Sequence, residues 1–124
     1  MKKAVVTAKA PGAIGPYSQG IQSSGMLYIS GQIPADPVTG LLAEGIREQT
    51  RRSLLNCAAI LEEAGLSLTD VVKTTVYISD MKNFGGMNEI YADFFSEPYP
   101  ARSTVEVSKL PRDAGVEIEM IAAF

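Results

Sequence analysis

The segment Tyr99-Pro-Ala-Arg-Ser-Thr-Val-Glu-Val-Ser-Lys-Leu-Pro111 constrains the fold more than any other. A loop holding Pro98 and Pro100 runs into an alternating stretch that stops at Leu110-Pro111. Proline has no N–H to give a sheet ladder, so prolines mark the two ends of a strand. Alternation sets Ser103, Val105 and Val107 on one face and Arg102, Thr104, Glu106 and Ser108 on the other. Arg102 stands at the mouth of this strand, beside the rigid loop. A guanidinium held there suits a planar anion; a solvated surface arginine is the plain alternative.

Further strands and two helices follow from pattern. Short strands are expected at Lys2–Thr7 and Tyr17–Gln22, and longer ones at Met26–Gln32, Val71–Ile78 and Val116–Met120. Ala10–Pro16 and Ala35–Gly40, rich in Pro and Gly, are loops. One helix is predicted over Ile46–Ala64, with Ile46, Leu54, Cys57, Ala58, Leu61 and Ala64 inward and Gly65 as its stop. A second is predicted over Phe84–Phe95, with an apolar stripe of Phe84, Met87, Ile90, Tyr91, Phe94 and Phe95 that reads as core. The lone cysteine, Cys57, falls on the first helix's apolar stripe and reads as a small core hydrophobe. The sum is an α+β domain over residues 1–124: one mixed sheet with two helices on one face.

The other sheet face carries the chemistry. Parity gives Val116, Ile118 and Met120, Val72, Val76 and Ile78, and Leu27 and Ile29 to the helices. Tyr28, Ser30, Thr75, Tyr77, Arg102, Thr104 and Glu117 are expected on the opposite face. That set is too aromatic for open solvent and too polar for a second core, which points to an oligomer packed through it. A hairpin around Lys109–Gly115 would set Arg102 and Glu117 side by side. Arginine can fork a carboxylate, and a half-buried glutamate can serve as acid or base toward water. A structural Arg–Glu pair is the alternative. Tyr17, after Gly15-Pro16, can offer a phenol, and Ser30-Gly31 an approach to backbone.

Composition removes whole classes of chemistry. There is no histidine, which excludes Ser-His-Asp and Cys-His catalysis and histidine-bound metals. One cysteine excludes an internal disulfide and CxxC motifs. Eleven Lys and Arg against fourteen Asp and Glu give −3 with no basic run, so no nucleic-acid partner is expected. No membrane-length apolar run and no signal-peptide pattern are present, so a cytoplasmic protein is expected.

Four segments resemble one family: Ala13-Ile-Gly-Pro-Tyr-Ser-Gln-Gly20, Ser30-Gly-Gln-Ile-Pro34, Val72-Lys-Thr-Thr-Val76, and Pro100-Ala-Arg-Ser-Thr-Val-Glu-Val with Leu110-Pro111 and Glu117-Ile-Glu119. They look like the Rid (YjgF) family, in particular its RidA branch of enamine/imine deaminases, along essentially the whole chain. The resemblance implies a chorismate-mutase-like fold and a homotrimer, with sheets inside, helices outside and sites between subunits. It implies hydrolysis of 2-aminoacrylate-derived 2-iminopropanoate and of 2-iminobutanoate to 2-keto acids and ammonia, with no cofactor or metal. By position, Arg102 would clamp the substrate carboxylate, Glu117 would activate water and Tyr17 would line the pocket, with Ser30, Gly31 and Asn88 around it. Thr104 stands where many RidA members carry cysteine, and the Ser96–Tyr99 loop is shorter than in many relatives. Two other readings are a 2-keto-acid-binding regulatory trimer and a ribonuclease or translation inhibitor. The acidic, histidine-free composition counts against the last.

Overall fold

The alternation of the last strand becomes burial. Val116, Ile118, Met120 and Ala122 are buried, while Glu117, Glu119 and Ile121 are half-buried on the other side. This strand lies in the middle of the sheet because both of its edges are paired and one face is fully apolar. The computed structural model describes residues 1–124. Its strands are β1 (Lys3–Val5), β2 (Gly20–Ser23), β3 (Met26–Gln32), β4 (Val71–Ile78), β5 (Ala101–Glu106) and β6 (Val116–Ala123). The helices are α1 (Ile46–Glu63) and α2 (Phe84–Phe94). One six-stranded mixed sheet runs in the order β1-β2-β3-β6-β4-β5, with β4 and β5 parallel and all other neighbours antiparallel. The two helices cover a single face, as the sequence predicts, and nineteen buried residues between them and the sheet make the core.

Helix α1 ends in the hydrogen-bond pattern expected of a glycine stop. Gly65 at φ 81° donates to Glu62 O at 2.9 Å, and Leu66 N donates to Leu61 O at 2.9 Å. Its buried face is more polar than the apolar spacing suggests. Thr50, Ser53 and Asn56 are buried with Leu54, Cys57, Ile60 and Leu61, whereas Ala58 is only half-buried. Asn56 explains part of this. Its Nδ2 donates to the Ala35 carbonyl at 2.9 Å and the Ile33 carbonyl at 3.2 Å, pinning the loop that leaves β3. Helices α1 and α2 touch closely at Gly86, where a Cβ would come 2.8 Å from Ile46 Cγ2.

Three expectations are corrected. First, β5 and β6 do not form a hairpin: β6 inserts between β3 and β4, and β5 lies beyond β4. Strand β5 contains no buried residue and fits the edge, whereas β6 has an apolar face that only a central position covers. The connection crosses the end of β4, with Ser79 N donating to Gly115 O at 3.2 Å. Second, regular pairing of β5 stops at Glu106, short of Leu110. Third, Val72 faces out and Val71 is buried instead. A bulge between Val71 and Lys73, opposite Ala122 and Ile121, inserts one residue and resets the parity of β4.

Candidate functional site

Arg102 stands in register with Thr74 of β4. Thr74 is buried under α2, its Oγ1 2.7 Å from the Tyr91 hydroxyl. Arg102 therefore faces the helices, not the outer face expected of it. Its Nη1 donates to Asn88 Oδ1 at 2.8 Å. Its guanidinium carbon lies 4.7 Å from the centroid of the Tyr91 ring and 5.6 Å from that of Phe84. The chain's ion pairs are Lys9–Glu62, Arg47–Glu89, Arg51–Glu48 and Lys109–Asp113, so no carboxylate neutralises Arg102. Its remaining donors are available to an anion from outside. They open on a cleft of about 460 Å³ lined by Asn88, Tyr91, Ala92, Tyr99, Pro100 and Arg102. Thr104, two residues on, does not line this cleft, and its hydroxyl is buried without a hydrogen-bond partner.

Glu117 occupies the other face. It is in register with Tyr77, and its carboxylate lies over Gly31 of β3, where a Cβ would come 2.8 Å from Glu117 Cδ. Glycine leaves the space there that the carboxylate occupies. A bulge between Ile29 and Gln32 brings Gly31 under Glu117 and turns Gln32 inward. Burial, and then the charge of Glu119, push the Glu117 carboxyl above the usual carboxylate range. Tyr77 Oη donates to Glu119 Oε1 at 3.1 Å.

The loop that carries Tyr17 is braced by a buried glutamine, Gln19. Gln19 Nε2 donates to the carbonyls of Thr7 at 3.0 Å and Pro11 at 2.8 Å, and its Oε1 accepts from Thr7 N at 2.7 Å. Regular pairing of β2 consequently begins at Gly20, after Tyr17 rather than at it. The Ser30 hydroxyl donates to Ser18 O at 2.5 Å, tying the same loop to β3. A smaller cleft of about 110 Å³ is lined by Tyr17, Gly31, Gln32 and Arg112, among others. Arg112 reads in the sequence as a solvated loop residue. It is exposed, but at φ 58° it forms part of this wall.

The seven residues singled out in the sequence thus fall into two groups. Arg102 and Asn88 share one cleft, and Thr104, with its hydroxyl buried, does not line it. Glu117 lies over Gly31 on the other side of the sheet, next to Ser30, and Tyr17 lines the small cleft that Gly31 also lines. Tyr99 and Tyr91 in the first group, and Gln19 in the second, carried no functional signal in the sequence. An aromatic stripe reads the same whether it packs or lines a cleft. No group of three or more His, Cys, Asp or Glu side chains comes together to hold a metal. Cys57 is fully buried and its thiol is pushed up by burial, in keeping with a core role.

The family model described as Endoribonuclease L-PSP matches residues 7–124. The chain belongs to this family, the Rid (YjgF) family. Among Rid relatives, a 2-iminobutanoate/2-iminopropanoate deaminase of Salmonella typhimurium is 50% identical over 98% of each chain. A RutC family protein of Pyrococcus horikoshii is 55% identical over 98% of each chain. The crystal structure of Escherichia coli TdcF with bound serine superposes with a TM-score of 0.95 at 47% identity, covering 98% of both chains. The shared fold is the two-helix, six-strand arrangement described above.

Proposed function

We propose that this protein is an enamine/imine deaminase that hydrolyses 2-iminopropanoate and 2-iminobutanoate to 2-keto acids and ammonia. The observation that carries the reading is the unneutralised guanidinium of Arg102, fixed by Asn88 and two aromatic rings at the wall of an open cleft. Such a group suits a small carboxylate. The named activity of the Salmonella relative supports the same class of substrate.

One chain supplies only half of such a site, because Glu117 lies on the opposite face. The proposed assembly is a homotrimer closed through the outer sheet face. Head-to-tail contacts in a ring bring unlike surfaces together. The β5 edge with Arg102 and the β3 side with Gly31 and Tyr17 are unlike surfaces at different places along the sheet. In that assembly Arg102 of one subunit holds the substrate carboxylate, and Glu117 of its neighbour positions a water molecule. Asn88 orients the guanidinium, and Tyr17, Ser30 and Gly31 shape the wall.

The chemistry needs only positioning and proton handling. Water attacks the imine carbon as Glu117 accepts its proton; the C–O bond forms and the C=N π pair moves onto nitrogen, which takes that proton back from Glu117 to give the neutral carbinolamine. The carbinolamine hydroxyl proton then passes through Glu117 to nitrogen as the C–N bond breaks with its electrons on nitrogen, so that ammonia leaves and the C=O bond of the 2-keto acid forms.

The test generates 2-aminoacrylate from serine with a pyridoxal-phosphate dehydratase and traps surviving imine with semicarbazide. Faster pyruvate release and less trapped imine are expected with this protein, and sedimentation is expected to give a trimer. No acceleration by a folded trimer overturns the deaminase reading. The TdcF structure with bound serine gives weight to the second reading, a module that binds small amino or keto acids without turning them over. Calorimetric binding of a 2-keto acid together with a null assay would select it.

A further inference from the structure

Strand periodicity puts Glu117 and Glu119 on the same face of β6. Two carboxylates this close do not ionise independently: the charge of one makes the other harder to ionise. The surroundings treat the two differently. Glu119 accepts a hydrogen bond from Tyr77 at 3.1 Å, which fixes its carboxylate. The Glu117 side chain takes part in no hydrogen bond within the chain and lies against the bare backbone of Gly31. Tyr77 stands beside Glu117 in register but reaches diagonally to Glu119.

We propose that Tyr77 and Glu119 are positioning residues: Tyr77 holds the Glu119 carboxylate beside Glu117, so that Glu117, the member left free over Gly31, is the one that accepts and returns the proton. This rests on the deaminase reading of Glu117. In the proposed assembly the neighbour's Arg102 also faces Glu117, across the substrate carboxylate that neutralises it; the other groups around the pair belong to the same chain. From β4, Lys73 faces the same side, but its Nζ lies 3.5 Å from Ser103 Oγ, toward β5. From β3 come Tyr28 and Ser30, and from β5 Ser103 and Val105, none of them charged. Tyr17 and Arg112 line the small cleft that Gly31 also lines, and Glu117 does not line it. The helices pack on the opposite face. Burial and the Glu119 charge both raise the Glu117 carboxyl, and burial followed by Glu119 raises the Tyr77 phenol, which stays a donor. A carboxylate moved up in this way is a better base toward water near neutral pH.

The experiment compares the pH dependence of kcat in the wild type, Glu119→Gln, Tyr77→Phe and Glu117→Gln. Carbon-13 NMR titration of glutamate-labelled protein provides a readout independent of turnover. Removing the Glu119 charge is expected to move the acidic limb of kcat, and the Glu117 resonance, to lower pH. Tyr77→Phe is expected to move both the same way by less, because Glu119 is then no longer held beside Glu117. Glu117→Gln is expected to abolish the limb. A limb and a resonance that stay in place in folded Glu119→Gln overturn the proposal. Should that variant not fold, unmoved values in Tyr77→Phe overturn it equally. A wild type without turnover but with the shifted NMR titration refutes the deaminase reading and leaves the carboxylate pair standing.

Discussion

Arg102 and Glu117 lie on opposite faces of one sheet. Arg102 pairs with Thr74, whose side chain is buried against Tyr91 of α2, and Glu117 pairs with Tyr77 on the side away from the helices. Strand β4 runs between them. A small substrate cannot touch both within one chain. If both act, the site is shared between chains, and its activity depends on assembly.

Replacing Arg102 by Ala is expected to lower kcat/KM on the order of 10²-fold or more, since charge-assisted bonds to the substrate carboxylate are lost. Arg102→Lys is expected to recover little of this, because an ammonium cannot fork a carboxylate or stack as a plane on Tyr91. Steady-state kinetics on serine-derived imine checks both. Near-normal turnover in Arg102→Ala removes the residue from the site.

Gly31→Ala puts a methyl where the Glu117 carboxylate lies. The colliding atoms belong to the end of a flexible side chain, so the fold yields there rather than breaks. The expected outcome is a Tm close to the wild type with kcat lowered roughly tenfold or more by displacement of Glu117. Wild-type kcat in this variant would mean that the position of Glu117 is immaterial.

Glu117→Gln is expected to stabilise the protein at alkaline pH. Because the folded-state pKa is raised, the native state binds this proton more tightly than the unfolded chain. The ionised carboxylate therefore costs stability above that pKa; the cost shrinks as pH falls through it and is gone below the unfolded-state value. Glutamine removes the charge at every pH. The gain is below about 1 kcal/mol, since the half-exposed group is screened by solvent. Thermal melts across pH should show the gap closing on the acid side; a gap that widens there contradicts the assignment.

Asn56→Ala leaves the carbonyls of Ile33 and Ala35 without their donor in a buried place. A loss of about 2–3 kcal/mol is expected by urea denaturation. A loss below 0.5 kcal/mol, on the scale of an ordinary surface change, would show that water replaces the amide there.

Thr104→Val is expected to raise stability by about 1 kcal/mol, because it removes a buried hydroxyl that has no partner and keeps the shape. Denaturant midpoints check this. Destabilisation would reveal a partner that the hydroxyl finds in the assembled protein.

The sequence determined what depends on local period and turn chemistry. The ladders of β3 and β4 fall on the ranges that alternation marks, and α1 starts at Ile46 and stops at Gly65 where spacing and glycine place its ends. It marked Arg102 and Glu117 as chemically unusual for their positions. Only the tertiary structure decided which strand lies beside which, and therefore which face each side chain meets. Inserting β6 between β3 and β4 separated residues that a hairpin would have joined, because the most apolar strand takes the centre and the least buried one the edge. Two bulges, at Val71–Lys73 and Ile29–Gln32, then reversed parity by a single residue each. A period of two contains no warning of either, and they leave Val72 outside and Gly31 under Glu117.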